Sequence, residues 1–392
     1  MKIVYCIIDC SQTGGMERII SCKANYLADV LGHEVKIITT DQSDRSNYYD
    51  FSSKIEFYDL GINYNELEQY SFVKRIWEQL KKRKEHKLKL SQILKKWQAD
   101  IVISTYSHEF TLLHNISDNS RKIAEIHFSK EHSVIGNKYK KQSILLKIKS
   151  LLAECRKYLY IKKYEKFIVL TKKDKENFSR VSNSEQIPNM YSFYPEKSAD
   201  LNSKRIISVG RLSVEKRFDL LIEAWSMISE EFPDWRLDIF GMGDEYSKLE
   251  KLIDTKHLND VIKINSPTKN IVNEYLNSSI FVMTSCYEGF PMVLLEAMAC
   301  GVPCVSFDCP HGPSAIITDK EDGFLVENGN VALLAEKVKL LIQNENLRIE
   351  MGKKAKENVK RFSPDIIMKQ WDNLFQQLTL NKNTPINEKM II

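Results

Sequence analysis

The sequence predicts an α/β protein made of two Rossmann-like domains that face each other across a cleft. Three observations carry this. The chain opens on a strand, glycine loop, helix and strand in succession. Short apolar runs then alternate with longer helical or polar segments, as a parallel sheet requires. After a stretch rich in Pro, Asn and Ser at 187–204, the same rhythm starts again.

KIVYCII is the first strand, DCSQTGG the loop, MERIISCKANYLADVLG a helical pattern and HEVKIITT the second strand, which together form one βαβ unit. ADIVIST (99–105), KIAEIHF (122–128) and KFIVLT (166–171) continue the sheet. IPNMYSFYPEKSADLNSK (187–204) reads as a linker. KRIISVGRL, a helix from about Asp219 to Glu231, then WRLDIFGMGD, IKINSP, IFVMTS, VPCVSFD and GFLV build the second half. The domains expected are 1–190 and 191–362, followed by a helix over 363–380 that packs back on the first domain. Ser363 suits the N-cap of that helix and Pro364 its first position, while Ile366, Ile367, Trp371, Leu374, Phe375 and Leu378 share one face.

Composition narrows the class. The 392 residues are 43% hydrophobic and 28% charged, an ordinary globular balance able to bury a large core. A net charge of +5 is too mild for a nucleic-acid protein in the absence of a binding motif. Eight cysteines form no C-x-x-C pair, which points to a reduced, cytoplasmic chain. No apolar run is long enough to cross a bilayer, and the apolar stretch after Met1 lacks a signal-peptide cleavage pattern.

The stretch CYEGFPMVLLEAMACGVP (286–303) sets Glu288 and Glu296 on either side of a turn. Pro291 is placed to open a helix whose free N–H groups and dipole favour an anion. Glu288 would then lie at a strand's carboxyl end, and Glu296 inside the helix, roughly 6 to 8 Å further on at 1.5 Å per residue. That separation suits a sugar-nucleotide diphosphate, with one carboxylate accepting from sugar hydroxyls and the other from ribose hydroxyls. The plainer alternative has Glu288 capping the helix and Glu296 facing solvent. SVGRLSVEKRFD (208–219) adds Arg211 and Lys216 after a strand, and GMGDE (241–245) follows another strand, so both loops should open on one cleft. Arg211 can grip phosphate oxygens in a fork, and Lys216 is a point charge.

With these residues in place, the chain resembles the retaining glycosyltransferases of family 4, whose GT-B fold pairs two Rossmann-like domains. The matching motifs are Glu288 and Glu296 as E-x7-E within EGFPMVLLEAMACGVPCV, Gly210 to Lys216 as GRL-x2-EK, Gly14-Gly15 followed by Glu17, and DGFLV at 322–326. The resemblance implies that Glu288 contacts the donor sugar and Glu296 the ribose, while Arg211 and Lys216 hold the diphosphate. It extends the donor site to Gly210, Gly289, Phe290, Pro291, Val293 and Leu294. Gly14 and Gly15 would let the backbone approach acceptor and donor. His127 matches the family's active-site histidine, giving a catalytic set of His127, Glu288, Arg211 and Lys216. Two positions depart from the family pattern. Phe128 stands where a small residue is common and implies a differently shaped cleft. Ala315, where Glu is common, bears on the supporting loop and on donor choice.

The resemblance implies metal-free transfer with no cofactor, the nucleotide-sugar being a substrate, and the chain contains no Asp-x-Asp to hold a divalent ion. G-x4-G-K-[ST] is absent, and GMGDEY (241–246) lacks the last glycine of a dinucleotide fingerprint. Two basic stretches, 74–96 and 138–166, each contain ten Lys or Arg against two Glu. They read as solvated helix faces or as a cationic surface for anionic lipid. In the second, Ile144, Ile148, Leu151, Leu152, Cys155 and Leu159 recur at helical spacing. The expectation is a peripheral enzyme at the inner face of the cytoplasmic membrane. It would move a sugar from a nucleotide-sugar, expected to be a UDP-sugar, to a lipid-linked glycan in bacterial surface polysaccharide or glycoconjugate synthesis. The rivals are a sugar-nucleotide epimerase, a soluble glycoside synthase, and a catalytically silent sugar-nucleotide-binding partner.

Overall fold

The computed structural model describes residues 1–128 and 156–380. The chain divides into two compact units, Met1–Pro188 with Pro364 onward, and Asn189–Ser363.

The first unit is a seven-stranded sheet in the order β3-β2-β1-β4-β5-β6-β7. Its strands are β1 (Lys2–Ile7), β2 (Glu34–Thr39), β3 (Glu56–Asp59), β4 (Ile101–Ser104), β5 (Arg121–Glu125), β6 (Lys166–Val169) and β7 (Ser184–Gln186). Every pairing is parallel, with Val4 opposite Lys36 on one side and Val102 on the other. The central strands are buried on both faces and read as unbroken apolar runs for that reason. Helix α1 (Gly15–Asp29) follows β1 and buries Ile19, Ile20, Ala24 and Leu27. Helix α2 (Phe72–Trp97) buries only His86, Leu90 and Leu94.

The helix Pro364–Leu380 also belongs to this unit. Trp371 and Phe375 are fully buried, and the Lys23 ammonium lies 4.1 Å from the Trp371 ring centroid. Tyr26 donates to Asp365 at 2.6 Å, and Arg121 Nε to the Leu378 carbonyl at 3.1 Å.

The second unit repeats the pattern with six parallel strands ordered β10-β9-β8-β11-β12-β13. They are β8 (Arg205–Val209), β9 (Arg236–Phe240), β10 (Ile262–Asn265), β11 (Ile280–Met283), β12 (Cys304–Asp308) and β13 (Gly323–Glu327). The helix after β8 runs Phe218–Ser226, with a separate 3₁₀ turn at Ser229–Glu231, and is thus shorter than the sequence suggests.

The 187–204 stretch has no helix or strand but is fastened, unlike a free linker. Ala199 N donates to the Cys300 carbonyl at 2.8 Å, and Lys356 Nζ donates to the carbonyls of Pro195 and Lys197, each at 2.9 Å. Irregular backbone needs such partners because it has no ladder of its own.

Candidate active site

In the second unit β8 and β11 are neighbours although the chain visits β9 and β10 between them. This is the point where strand order reverses, and ligands of open α/β sheets bind outside the strand ends there. Gly210, Arg211 and Lys216 follow β8, and Glu288 follows β11. Backbone contacts set the loop after β8: Gly210 N donates to the Phe240 carbonyl at 3.0 Å and Leu212 N to that of Met242 at 2.8 Å. A Cβ on Gly241 would stand 1.9 Å from the Gly210 carbonyl oxygen, so only glycine lets the two loops touch.

The loops after β8 and β11 are joined as well. Cys286 N donates to the Glu215 carbonyl at 2.9 Å, and Thr284 Oγ1 to that of Lys216 at 3.1 Å. This stitching carries Lys216 Nζ to 2.5 Å from Glu288 Oε1, which also accepts from Ser285 Oγ at 2.7 Å. Arg211 lies exposed on the same loop as Lys216. Cys286 and Cys309 lie close by, but burial raises both thiols above their usual range, so neither is a thiolate nucleophile.

Gly289 and Phe290 form the turn, and Pro291 occupies the N-cap of the helix Met292–Ala299, one place before the first helical position. Strong helix formers fill its interior. Gly301, at φ +77°, ends it, with Gly301 N donating to Met298 O at 2.9 Å and Val302 N to Ala297 O at 3.0 Å. Val293 is partly exposed, whereas Leu294 is buried. Glu296 is 2% exposed, which removes the alternative of a solvent-facing side chain. It accepts from Tyr275 OH at 3.2 Å and from Ser192 Oγ at 3.3 Å. The two motif glutamates therefore have separate partners, Lys216 and Ser285 for one, Tyr275 and Ser192 for the other. Ala315 sits in the short helix Pro313–Ile316. The preceding Gly312 abuts the glutamate turn, since a Cβ there would lie 2.6 Å from Pro291 and 3.0 Å from Glu288.

In the first unit Gly14 is the N-cap of α1 and Gly15 its first residue. Only the flexible Glu17 carboxylate stands where a Gly14 side chain would go. His127 lies two residues beyond β5 with its side chain 7% exposed. Its Nε2 is 3.4 Å from Glu125 Oε1, but neither ring nitrogen has a hydrogen-bond partner among the described residues. Burial pushes its pKa down to about 4; Glu125 opposes this and Lys23 adds to it. The ring is neutral at pH 7 and offers one donor and one acceptor. Behind it Glu125 and Lys23 form a wholly buried ion pair. Burial lowers the Lys23 pKa, and Glu125 acts against that. Phe128 meets Tyr106 edge-on at 5.6 Å.

Sequence reasoning had not singled out Ser285, Ser192, Tyr275, Lys23 or Glu125. Ser285 is three residues before Glu288 and could have been found by proximity. Glu125 is likewise only two residues before His127, whereas Ser192, Tyr275 and Lys23 come from distant segments and carry no local signal. Among the described residues no group of three or more His, Cys, Asp or Glu could hold a metal ion.

The family of glycosyl transferases group 1 matches residues 192–358. An uncharacterized glycosyltransferase of Haemophilus influenzae is 30% identical over 380 residues, covering 95% of this chain and 99% of the relative. The chain belongs to the glycosyl transferases group 1. This group 1 glycosyltransferase is also 32% identical over 208 residues to the poly(ribitol-phosphate) alpha-N-acetylglucosaminyltransferase of Staphylococcus aureus. That match covers 53% of this chain and 41% of the relative. Among solved structures, a mutant of S. aureus TarM in complex with fondaparinux, alpha-GlcNAc-glycerol and UDP superimposes with a TM-score of 0.76 at 19% identity. That superposition covers 95% of this group 1 glycosyltransferase and 99% of the TarM chain. The fold is GT-B, with two parallel-sheet Rossmann-like domains.

Proposed function

We propose that this group 1 glycosyltransferase moves a hexose or N-acetylhexosamine, with retention and without a metal, from a UDP-sugar to a lipid-linked glycan acceptor. The reaction would serve bacterial surface polysaccharide or glycoconjugate synthesis, on the anionic inner face of the cytoplasmic membrane. The observation that carries the reading is the Lys216–Glu288 contact at the strand-order switch of the second unit, beside a helix N-terminus. It sets a cation and a carboxylate beside a helix N-terminus, an arrangement that suits a diphosphate and the sugar attached to it.

In this reading Arg211 and Lys216 stabilise the charge that develops on the leaving diphosphate. Glu288 accepts from donor-sugar hydroxyls and Glu296 from ribose hydroxyls, while neutral His127 reaches the donor sugar. Gly14 and Gly15 admit the acceptor. The bond from the anomeric carbon to the diphosphate oxygen breaks, the acceptor hydroxyl oxygen bonds to the same face of that carbon, and its proton passes to the leaving phosphate. UDP bound by TarM, and the N-acetylglucosamine transfer named for the S. aureus relative, support the choice of donor.

The test is nucleotide release by the purified protein across a panel of nucleotide-sugars with a lipid-linked glycan acceptor, with and without EDTA, and NMR of the product anomer. Chelator-resistant release of UDP with a retained anomer is expected. Donor binding without turnover of any nucleotide-sugar would leave a silent partner, an inverted product would remove retention, and an epimerised donor would favour the epimerase reading.

A further inference from the structure

The first three turns of α2 carry Phe72, Val73, Ile76, Trp77 and Leu80, all exposed, with Phe72 at 78% and Trp77 at 72%. At 3.6 residues per turn these five side chains fill an arc of about 140° on one side of the helix. The docked face of α2 comes later in the helix. His86, Leu90 and Leu94 are buried, and Lys82, Arg83 and Lys89 are turned back onto the unit, donating to the Ile62 carbonyl, Thr111 Oγ1 and the Leu60 carbonyl at 2.5, 2.9 and 2.8 Å. Lys74, Arg75, Lys81, Lys84 and Lys87 remain exposed around and beyond the apolar stripe.

We infer that the N-terminal half of α2 is an interfacial anchor that seats in the headgroup region of an anionic phospholipid bilayer. This deepens the lipid-linked-acceptor reading above and rests on it for its purpose, although binding itself is measured apart from turnover. The chemistry selects the occupant. A protein partner's interface is depleted in Lys, whereas a stripe of Phe, Ile, Leu and Trp bordered by lysines matches a helix lying in the plane of a membrane surface. Trp prefers that depth, and lysine stems lie along apolar surface while their ammonium groups reach lipid phosphates. No helix among the described residues is long and apolar enough to cross the membrane, so α2 would lie on it. Of the second basic stretch, residues 138–155 lie outside the described residues and play no part in the inference.

The test uses the full chain with vesicles of phosphatidylcholine alone or mixed with phosphatidylglycerol. Wild type should float with the mixed vesicles about tenfold more than with the neutral ones, less so as salt rises. Its tryptophan emission should shift to the blue, and the shift should vanish in Trp77→Phe. Phe72→Ser/Trp77→Ser should lose flotation about tenfold even at low salt, and Lys81→Gln/Lys84→Gln/Lys87→Gln should lose it mainly with the anionic lipid. Circular dichroism and melting confirm that the variants, all at exposed positions, stay folded. Equal flotation on both lipids, no flotation, or unchanged flotation of the serine variant would overturn the inference. So would a wild-type dimer that the serine substitutions dissociate. Sugar transfer to a soluble acceptor with no vesicle binding would sink the anchor alone, and binding without any donor turnover would sink the proposed reaction alone.

Discussion

Lys216 Nζ donates to Glu288 Oε1 across 2.5 Å, joining residues 72 positions apart in the chain. The side chains are 23% and 12% exposed, so the pair is open enough for a ligand to reach and shielded enough for its charges to matter. In the proposed reaction a donor diphosphate competes with Glu288 for the Lys216 ammonium, which frees the carboxylate for sugar hydroxyls.

In that proposed reaction Lys216→Ala would remove the charge set against the leaving group, and a loss of about 100-fold or more in kcat is expected. Glu296→Ala should lower turnover by a similar order. It also strips Tyr275 OH of an acceptor, at a stability cost of about 1 to 3 kcal/mol. Glu296→Gln keeps an acceptor for Tyr275 and separates the two effects. Nucleotide release and thermal melts check this. Near-normal rates for both alanine variants would remove the site.

Gly241→Ala and Gly210→Ala make a paired test of the loop geometry. The first forces a Cβ against the Gly210 carbonyl, whereas a Cβ on Gly210 meets nothing nearer than 3.5 Å, the Phe218 ring. Gly241→Ala should lower Tm by several degrees, and Gly210→Ala should melt like wild type. Equal Tm values would show that the two loops do not touch as described.

The buried Lys23–Glu125 pair predicts strong coupling. Lys23→Met alone leaves an unpaired buried carboxylate and should cost about 3 to 5 kcal/mol. Adding Glu125→Gln should recover part of that loss. Denaturant midpoints give the cycle, and simple additivity of the two substitutions would mean that the charges do not support each other.

Acid should weaken the first unit through two histidines. Burial takes both His127 and His86 down to about 4; His108 and Arg83 add to the effect at His86, and Lys23 adds to it at His127 against Glu125. The folded pKa lies below the unfolded value of about 6.5, so the unfolded chain binds more protons between those limits. Stability from these groups is complete above about pH 6.5 and is lost as pH falls towards 4. Melts from pH 7 to 4 should show the decline, and His86→Gln should flatten it relative to its own neutral value.

How much of this was legible beforehand depends on the range of the interaction. Period and punctuation exposed both parallel sheets, because strands buried on two faces must be apolar and their loops must break at Gly and Pro. The short motif around Glu288 was readable because turn, carboxylate and helix start are neighbours in the chain. Composition alone made 187–204 look loose, since nothing in its own residues announces that Lys356 will bind its carbonyls.

Sequence by itself determined the two Rossmann-like halves and the identity of the charged residues after β8 and β11, which are consequences of local pattern. Tertiary structure decided that Lys216 meets Glu288, that Glu296 is buried against Tyr275 and Ser192, and that His127 sits beside the Lys23–Glu125 pair beneath Trp371. Those outcomes depend on strand order and on glycine-permitted contact between loops, which bring distant residues within hydrogen-bond reach, and no local propensity encodes them.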